Sequence, residues 1–182
     1  MTNAFETGTR LCIPSVLVYV RVGTEVLMLH RYAIPGKKRL WNGLGGKCEP
    51  SESPLQAAQR EVQEESGWLL DTELFQALGV IQFPNFRPKK HQDWVVFVFQ
   101  VKLNARSELG KKILQTPLPP CSEGELHFIP QKNLLGLELW KADHVFLPWV
   151  FQSRPFLGTI WYEKTGFRHW FQLLGIVFFW FF

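Results

Sequence analysis

Cysteine is scarce in this chain, and what there is does not group. The 182 residues include three cysteines, Cys12, Cys48 and Cys121, odd in number and far apart. No C-x-x-C pair stands among them, so a cysteine-based metal pattern is excluded and no disulfide framework is suggested. Reduced thiols in a cytosolic protein are the expectation. Long basic runs are also missing. The clusters Lys37-Lys38-Arg39 and Lys89-Lys90 are short, and the net charge of +4 is mild. That balance suits polyphosphate substrates and predicts no stable nucleic-acid partner. The first residues hold no basic stretch followed by an apolar core, so no secretory signal and a cytoplasmic location are expected. A spanning helix needs ~20 apolar residues. The apolar run at the end, Leu173 to Phe182, has ten. Repeats and low-complexity tracts are absent.

What is present describes an ordinary globular chain, with a hydrophobic fraction of 46% and a charged fraction of 20%. The length suits one domain with a substantial core. Residues 11–20 read as a buried strand with Pro14 near its start or at an edge, and Glu25 to His30 returns after a Gly23-Thr24 turn. Residues 32–39 form a basic loop. Strands are predicted over 74–83 and 94–103, the second apolar on both faces and therefore central, with a polar loop over 84–93. Residues 104–122, rich in proline and polar residues, are expected to make an exposed excursion. A short strand over 125–130, a loop or turn over 133–140, a helix over 143–152 bent near Pro148, and a strand over 156–162 complete the reading.

One stretch organises the rest. From Gly46 to Trp68 the chain runs from a glycine-rich turn into an amphipathic helix with Ser53 as N-cap, Pro54 at the first helical position and Gly67 as the C′ residue. Glu61, Glu64 and Glu65 stand at i, i+3 and i+4, so three carboxylates project together, while Leu55, Ala58 and Val62 fall on another stripe suited to burial. Like charges on one turn repel, and a hard divalent cation such as Mg²⁺ would relieve that repulsion. Gly43, Gly45 and Gly46 permit close backbone approach to a phosphate–metal unit.

The spacing carries a resemblance. Gly46, five residues, Glu52, seven residues, Arg60-Glu61-Val62, one residue, Glu64-Glu65, one residue and Gly67 match the signature of the Nudix hydrolases. With seven identities at an average usage of about 6% each, chance agreement is on the order of 10⁻⁹ per start position. The resemblance, covering roughly residues 11–163, implies an α/β/α sandwich around a mixed sheet, with residues 1–163 expected as the domain and 164–182 as an apolar, aromatic-rich extension. It implies Mg²⁺ as cofactor, with Mn²⁺ an admissible substitute, held by Glu61, Glu64 and Glu65, with Gly46 and a later carboxylate in the metal set. Glu123 is the choice for that carboxylate and Glu125 the reserve. Arg60, Glu61 and Glu64 would carry catalysis. The general base is Glu64 or a residue outside the helix. Glu52 and Gly67 would hold the loop–helix geometry together with Arg60. The motif leaves the Cys48 position free.

Trp41-Asn42-Gly43-Leu44-Gly45-Gly46-Lys47 and Leu139-Trp140-Lys141-Ala142-Asp143-His144 resemble the mutator-type branch, the oxidised-purine nucleoside triphosphate diphosphatases. That likeness implies Asn42, Asp143, Trp140, Trp41 and Lys47 as substrate-binding residues. Ala142 departs from the second acidic residue of the branch's vertebrate members, which leaves the preferred damaged base open. The implied reaction is hydrolysis of a purine nucleoside triphosphate such as 8-oxo-dGTP to monophosphate and pyrophosphate, in nucleotide-pool sanitation. Alternatives are another nucleoside diphosphate-X substrate, such as 5′-triphosphorylated RNA or a dinucleoside polyphosphate, and a non-catalytic binding module of the same fold. For the tail, core burial or self-association ranks ahead of membrane contact.

Overall fold

A computed structural model describes residues 10–32, 38–163 and 166–173. Strand β1 (Leu11–Val22) turns Val16, Val18, Val20 and Val22 to one face and Leu17 and Tyr19 to the other, all buried. The two sets belong to separate cores, as a period of two requires. Strand β2 (Glu25–Arg31) divides the same way, Leu27 and Leu29 against Val26 and Met28. The turn between them places Gly23 at φ 62, a left-handed conformation that glycine adopts without strain.

The chain continues through β3 (Trp41–Asn42), α1 (Pro54–Ser66), β4 (Phe75–Arg87), β5 (Gln92–Leu103), α2 (Glu108–Gln115), β6 (Gly124–Pro130), α3 (Asp143–Phe151), β7 (Phe156–Glu163) and β8 (Gly166–Leu173). One sheet forms in the order β3-β2-β1-β5-β4-β7-β8, with β6 also paired to β2. β1 runs parallel to β5 and β4 to β7, while the remaining strand pairs are antiparallel, so the sheet is mixed. Helix α1 lays Ala57, Ala58 and Val62 on the core of the β1 valines. Helix α3 lays Phe146, Leu147 and Val150 on the opposite core. Two faces covered by helices make the expected α/β/α sandwich. β5 lies between β1 and β4, which explains its apolar character on both faces.

Four local expectations change. Leu55 lies on the exposed side of α1, and the buried stripe is Ala57, Ala58 and Val62 with Glu65 and Ser66. The excursion after β5 contains α2, capped by Ser107 and anchored by buried Ile113. Most of the loop over 84–93 is strand, leaving a 3-10 turn at Pro88–Lys90 between β4 and β5. The Asp93 carboxylate takes the Arg10 guanidinium and the Asn85 backbone N–H, and so draws the two strands together near the turn. The sheet also continues past residue 163, because β8 pairs with β7 from Glu163↔Gly166 to Phe156↔Leu173. The apolar tail beyond Leu173 lies outside the described residues. Among them no helix is long and apolar enough to cross a membrane.

One irregularity positions the site. Only the end of β1 pairs with β2, at Arg21↔Val26 and Val22↔Glu25. The exposed edge of its first half is filled by the glycine-rich loop instead. Val16 and Val18 donate to the carbonyls of Gly46 and Leu44 at 2.8 and 2.7 Å, and Leu44 and Cys48 donate back to Val18 and Pro14, each at 3.0 Å. The loop thus satisfies backbone groups that a missing strand would leave open.

Candidate active site

The local chemistry of Ser53 to Gly67 makes a well-bounded helix. The Ser53 hydroxyl accepts from the Gln56 N–H at 3.3 Å while the Gln56 side chain accepts from the Ser53 N–H at 2.9 Å, a reciprocal capping box. Pro54 occupies the first turn, and Gly67 closes the helix at φ 74, donating to the Gln63 carbonyl.

The three glutamates sit in three environments. The Glu65 side chain is buried, and one of its oxygens accepts the Gly45 N–H at 2.9 Å. Its other oxygen, Oε1, is buried with no partner among the described residues. Burial pushes the Glu65 carboxyl up to about 8, against the Gly45 bond that lowers it, with the Glu61 and Glu123 charges adding to the rise. Glu61 is half-buried and raised for the same first reason. The Glu64 side chain is 58% exposed.

Arg60 ties this helix to the loop before it. Its Nε and Nη2 donate to Glu52 at 2.9 and 3.1 Å, Nη2 also donates to the Lys47 carbonyl at 3.0 Å, and Nη1 reaches Glu61 at 2.9 Å and Glu64 at 3.0 Å. Glu52 and Glu61 hold the guanidinium firmly charged. Glu52, lowered by the Arg60 bond, accepts the Glu49 N–H as well. Gly46 passes so close to Glu61 that an added Cβ would lie 2.7 Å from its carboxyl carbon. Any side chain at 46 would therefore displace a carboxylate.

Glu123 leads into β6, where its carboxylate pairs with Arg31 at 2.6 Å and its charge raises both Glu61 and Glu65. Glu125 pairs with Arg39 at 3.3 Å. Its charge is not among the influences on Glu61 or Glu65, so Glu123 is the later carboxylate that stands at the helix. Among the described residues no three Asp, Glu, His or Cys side chains converge on one point, and Arg60 engages both Glu61 and Glu64.

A second group of polar side chains lies across the sheet. Trp41 donates its N–H to the Glu138 carbonyl and bridges Leu139, so the segment leading into α3 runs beside β3. Asp143 opens α3 buried, with Oδ2 unpartnered among the described residues, and burial pushes its carboxyl up to about 8. The Tyr19 hydroxyl, also buried without a partner among the described residues, is raised by burial and then by Asp143. Gly43 packs directly on the Tyr19 ring. Asn42 is part-buried, and its amide makes no side-chain hydrogen bond among the described residues. Trp41 stacks on His30 with ring centroids 4.3 Å apart and meets His127 edge-on, so its ring is already occupied. Trp140 is 36% exposed and, among the described residues, packs on no other ring. Lys47 is exposed, its ammonium 5.8 Å from the centre of the Trp94 ring. An open recess of about 690 Å³ between Arg21, Gly23 and Gln131 shares no residue with either group.

Sequence reasoning missed Tyr19, Arg31 and Trp94. Tyr19 carries a signal in hindsight. On the face of β1 that it shares with Ser15 and Leu17, it brings an aromatic hydroxyl to the α3 side of the sheet. Nothing in the spacing of Arg31 or Trp94 marks them.

Known proteins fit this arrangement. The NUDIX domain family matches residues 13–150. The oxidized purine nucleoside triphosphate hydrolase of Danio rerio is 30% identical over 148 residues, 79% of this chain and 82% of that protein. A Bacillus subtilis (strain 168) protein provisionally named 8-oxo-dGTP diphosphatase is 32% identical over 75 residues, a match spanning 41% of this chain and only 46% of that protein's length. Among solved structures, the mutator MutT protein of Bacillus halodurans superposes with a TM-score of 0.67 at 21% identity, covering 88% of this chain and 97% of that one.

Proposed function

This chain belongs to the NUDIX domain family and carries that family's hydrolase signature intact, and from that premise we propose that it is a Mg²⁺-dependent pyrophosphohydrolase. Its substrates in this reading are purine nucleoside triphosphates of the oxidised kind, such as 8-oxo-dGTP, cut to monophosphate and pyrophosphate. The observation that carries the substrate class is the pair of unpartnered buried polar groups, Asp143 and the Tyr19 hydroxyl. Such groups cost free energy unless a ligand satisfies them. With its carboxyl raised to about 8, Asp143 is protonated near neutral pH and has both a donor and an acceptor for a purine edge. Asn42 supplies an amide that makes no side-chain hydrogen bond among the described residues, and Trp140 an exposed ring for stacking. The name of the Danio rerio relative points to the same substrate class.

The donor set fits a hard divalent ion. Glu65 holds a buried oxygen with no hydrogen-bond partner, and Glu61, Glu64 and Glu123 bring further carboxylates to the same end of α1. In this reading Glu61, Glu64 and Glu65 hold Mg²⁺ with Glu123 and Gly46 completing the set, and Mn²⁺ substitutes. The chemistry that ion supplies when bound is neutralisation of phosphate oxygens and acidification of water. Gly46 leaves the room that the Glu61 carboxylate needs. Glu64, the most exposed of the three, is the group to accept the proton of the attacking water as the phosphoanhydride P–O bond breaks. Lys47, beside the loop, offers its charge to the phosphate chain, and Trp41 shapes the wall behind Asn42.

The deciding experiment is pyrophosphate release with Mg²⁺ across 8-oxo-dGTP, dGTP, 2-oxo-dATP and 5′-triphosphorylated RNA. The expected result is a preference of kcat/KM for an oxidised purine triphosphate over dGTP. Failure to turn over any of them with the fold intact would sink the enzyme reading, and equal rates would sink the oxidised-base assignment.

Asp143 makes a separate prediction. Its carboxyl sits at about 8 in the folded chain against an ordinary 3.8. Between those values the folded protein keeps a proton that the unfolded chain has released, so stability falls as pH rises through this window and levels off above it. Asp143→Asn removes that group. Urea unfolding of the metal-free protein between pH 5 and 8 should then lose about one proton's worth of slope, ~1.4 kcal/mol per pH unit. An unchanged slope would mean that Asp143 is ionised in the folded state.

A further inference from the structure

The two faces of the sheet are covered unequally on the β4 side. Across β5, β4 and β7 the register sets Phe97, Val80 and Leu157 in one row, on the face that carries α1. The opposite face of the same strands lies under α3. Helix α1 lies on the β1 side of its own face, with Ala57, Ala58 and Val62 on the β1 valines. Val80 and Leu157 belong to neither core, Leu157 is 40% exposed, and Ala77 beside Phe99 is exposed as well. A recess of about 250 Å³ opens among these side chains. β4 and β7 run parallel, and parallel strands are ordinarily buried on both faces. An apolar row left open there asks for a cover.

The chain carries a candidate for it at that place. β8 pairs with β7 at Leu157↔Gln172 and Phe156↔Leu173, so it ends beside this row. The sequence then runs Leu174, Gly175 and Ile-Val-Phe-Phe-Trp-Phe-Phe over 176–182, seven apolar residues without a charge. Crossing from β8 over β7 and β4 to β5 takes three strand spacings, about 14 Å. Seven extended residues reach about 23 Å.

We propose that residues 176–182 turn back at Gly175 and dock across Leu157, Val80 and Phe97 as the cover of this sheet face. An uncharged aromatic segment and an apolar recess each gain by leaving water together. Glycine at 175 gives the reversal its conformational freedom. The docking is independent of the reaction at the catalytic site.

The test is NMR of the full chain with labelled valine and leucine methyl groups, compared with a chain ending at Gly175. In the full chain the Val80 and Leu157 methyls should show NOEs to aromatic protons of residues 178–182. Their resonances should lie upfield of those in the shortened chain. Leu157→Lys puts a charge into the recess at an exposed position, and an unchanged Tm verifies the fold. In the full chain it should abolish the NOEs to Val80, and in that background shortening should no longer move the Val80 methyls. The NOEs and their loss in Leu157→Lys decide the matter in the full chain alone. An equal mixture of labelled and unlabelled chains distinguishes docking within one chain from docking on a second copy. NOEs found only between chains, methyls unmoved by shortening, or tail-dependent pelleting with phosphatidylcholine vesicles that leaves those methyls unmoved would each overturn the proposal.

Discussion

Glu64→Gln should lower kcat on the order of 10³-fold while Tm and the Kd for nucleotide stay close to wild type. The structure separates these effects. The Glu64 side chain is 58% exposed, and its one ion pair among the described residues is the Arg60 contact at 3.0 Å. An exposed i,i+4 pair is worth at most about 0.5 kcal/mol, so the fold loses little. Glutamine has the same shape and still accepts the Arg60 hydrogen bond, so the loop–helix contact survives. What it cannot do is hold a divalent cation with a charged oxygen or take a proton from water. Glu65→Gln is the instructive contrast. That side chain is buried and carries the Gly45 bond, so its loss should lower both turnover and Tm. Measuring kcat, Kd and Tm on both variants distinguishes the roles. Unchanged turnover in Glu64→Gln would refute its assignment as base and ligand.

The parts of this site that could be read in the sequence are those settled within a few residues. Ser53, Pro54 and Gly67 act on their own helix, so their roles as cap, first turn and stop follow from residue type, and the structure has them there. The glutamate spacing likewise determines which side chains share a face. Burial is another matter, because it depends on what arrives from elsewhere. Leu55 looks like a core residue until the sheet is in place, and Glu65 looks solvated until the Gly45 loop closes on it. The loop's bonding to β1 in place of a strand joins residues about thirty positions apart and leaves no periodic trace. Asp143 could be named, yet its burial, which leaves Oδ2 without a hydrogen-bond partner among the described residues, depends on α3 packing against the sheet. α2 is hidden by proline and polar residues around buried Gly110 and Ile113, and β8 by an aromatic stretch that resembles a tail.

Arg60→Ala tests whether the guanidinium is a clasp or a competitor. Its position between Glu61 and Glu64 suits either role, since a divalent ion would seek the same oxygens. The balance of its contacts favours the clasp. Two of its nitrogens engage Glu52, and one of these also holds the Lys47 carbonyl in the glycine loop, so its removal frees the loop from the helix. Glu52 and Glu61 side chains are each only 13% exposed. Leaving both without their cation should cost about 3 kcal/mol of stability, read as a shift in urea midpoint at constant slope. Misplacing the loop by about an ångström should lower kcat by about 10²-fold, and added Mg²⁺ should not restore it. Arg60→Lys should recover little of either, because a single ammonium cannot span both arms of the Glu52 carboxylate and the Lys47 carbonyl. The competitor reading expects the reverse, with tighter Mg²⁺ binding and preserved turnover in Arg60→Ala. Since one bond both lowers the Glu52 carboxyl and holds the Arg60 guanidinium charged, Glu52→Gln should reproduce a milder form of the Arg60→Ala defect in both stability and kcat. A competitor offers no reason for the two variants to resemble each other.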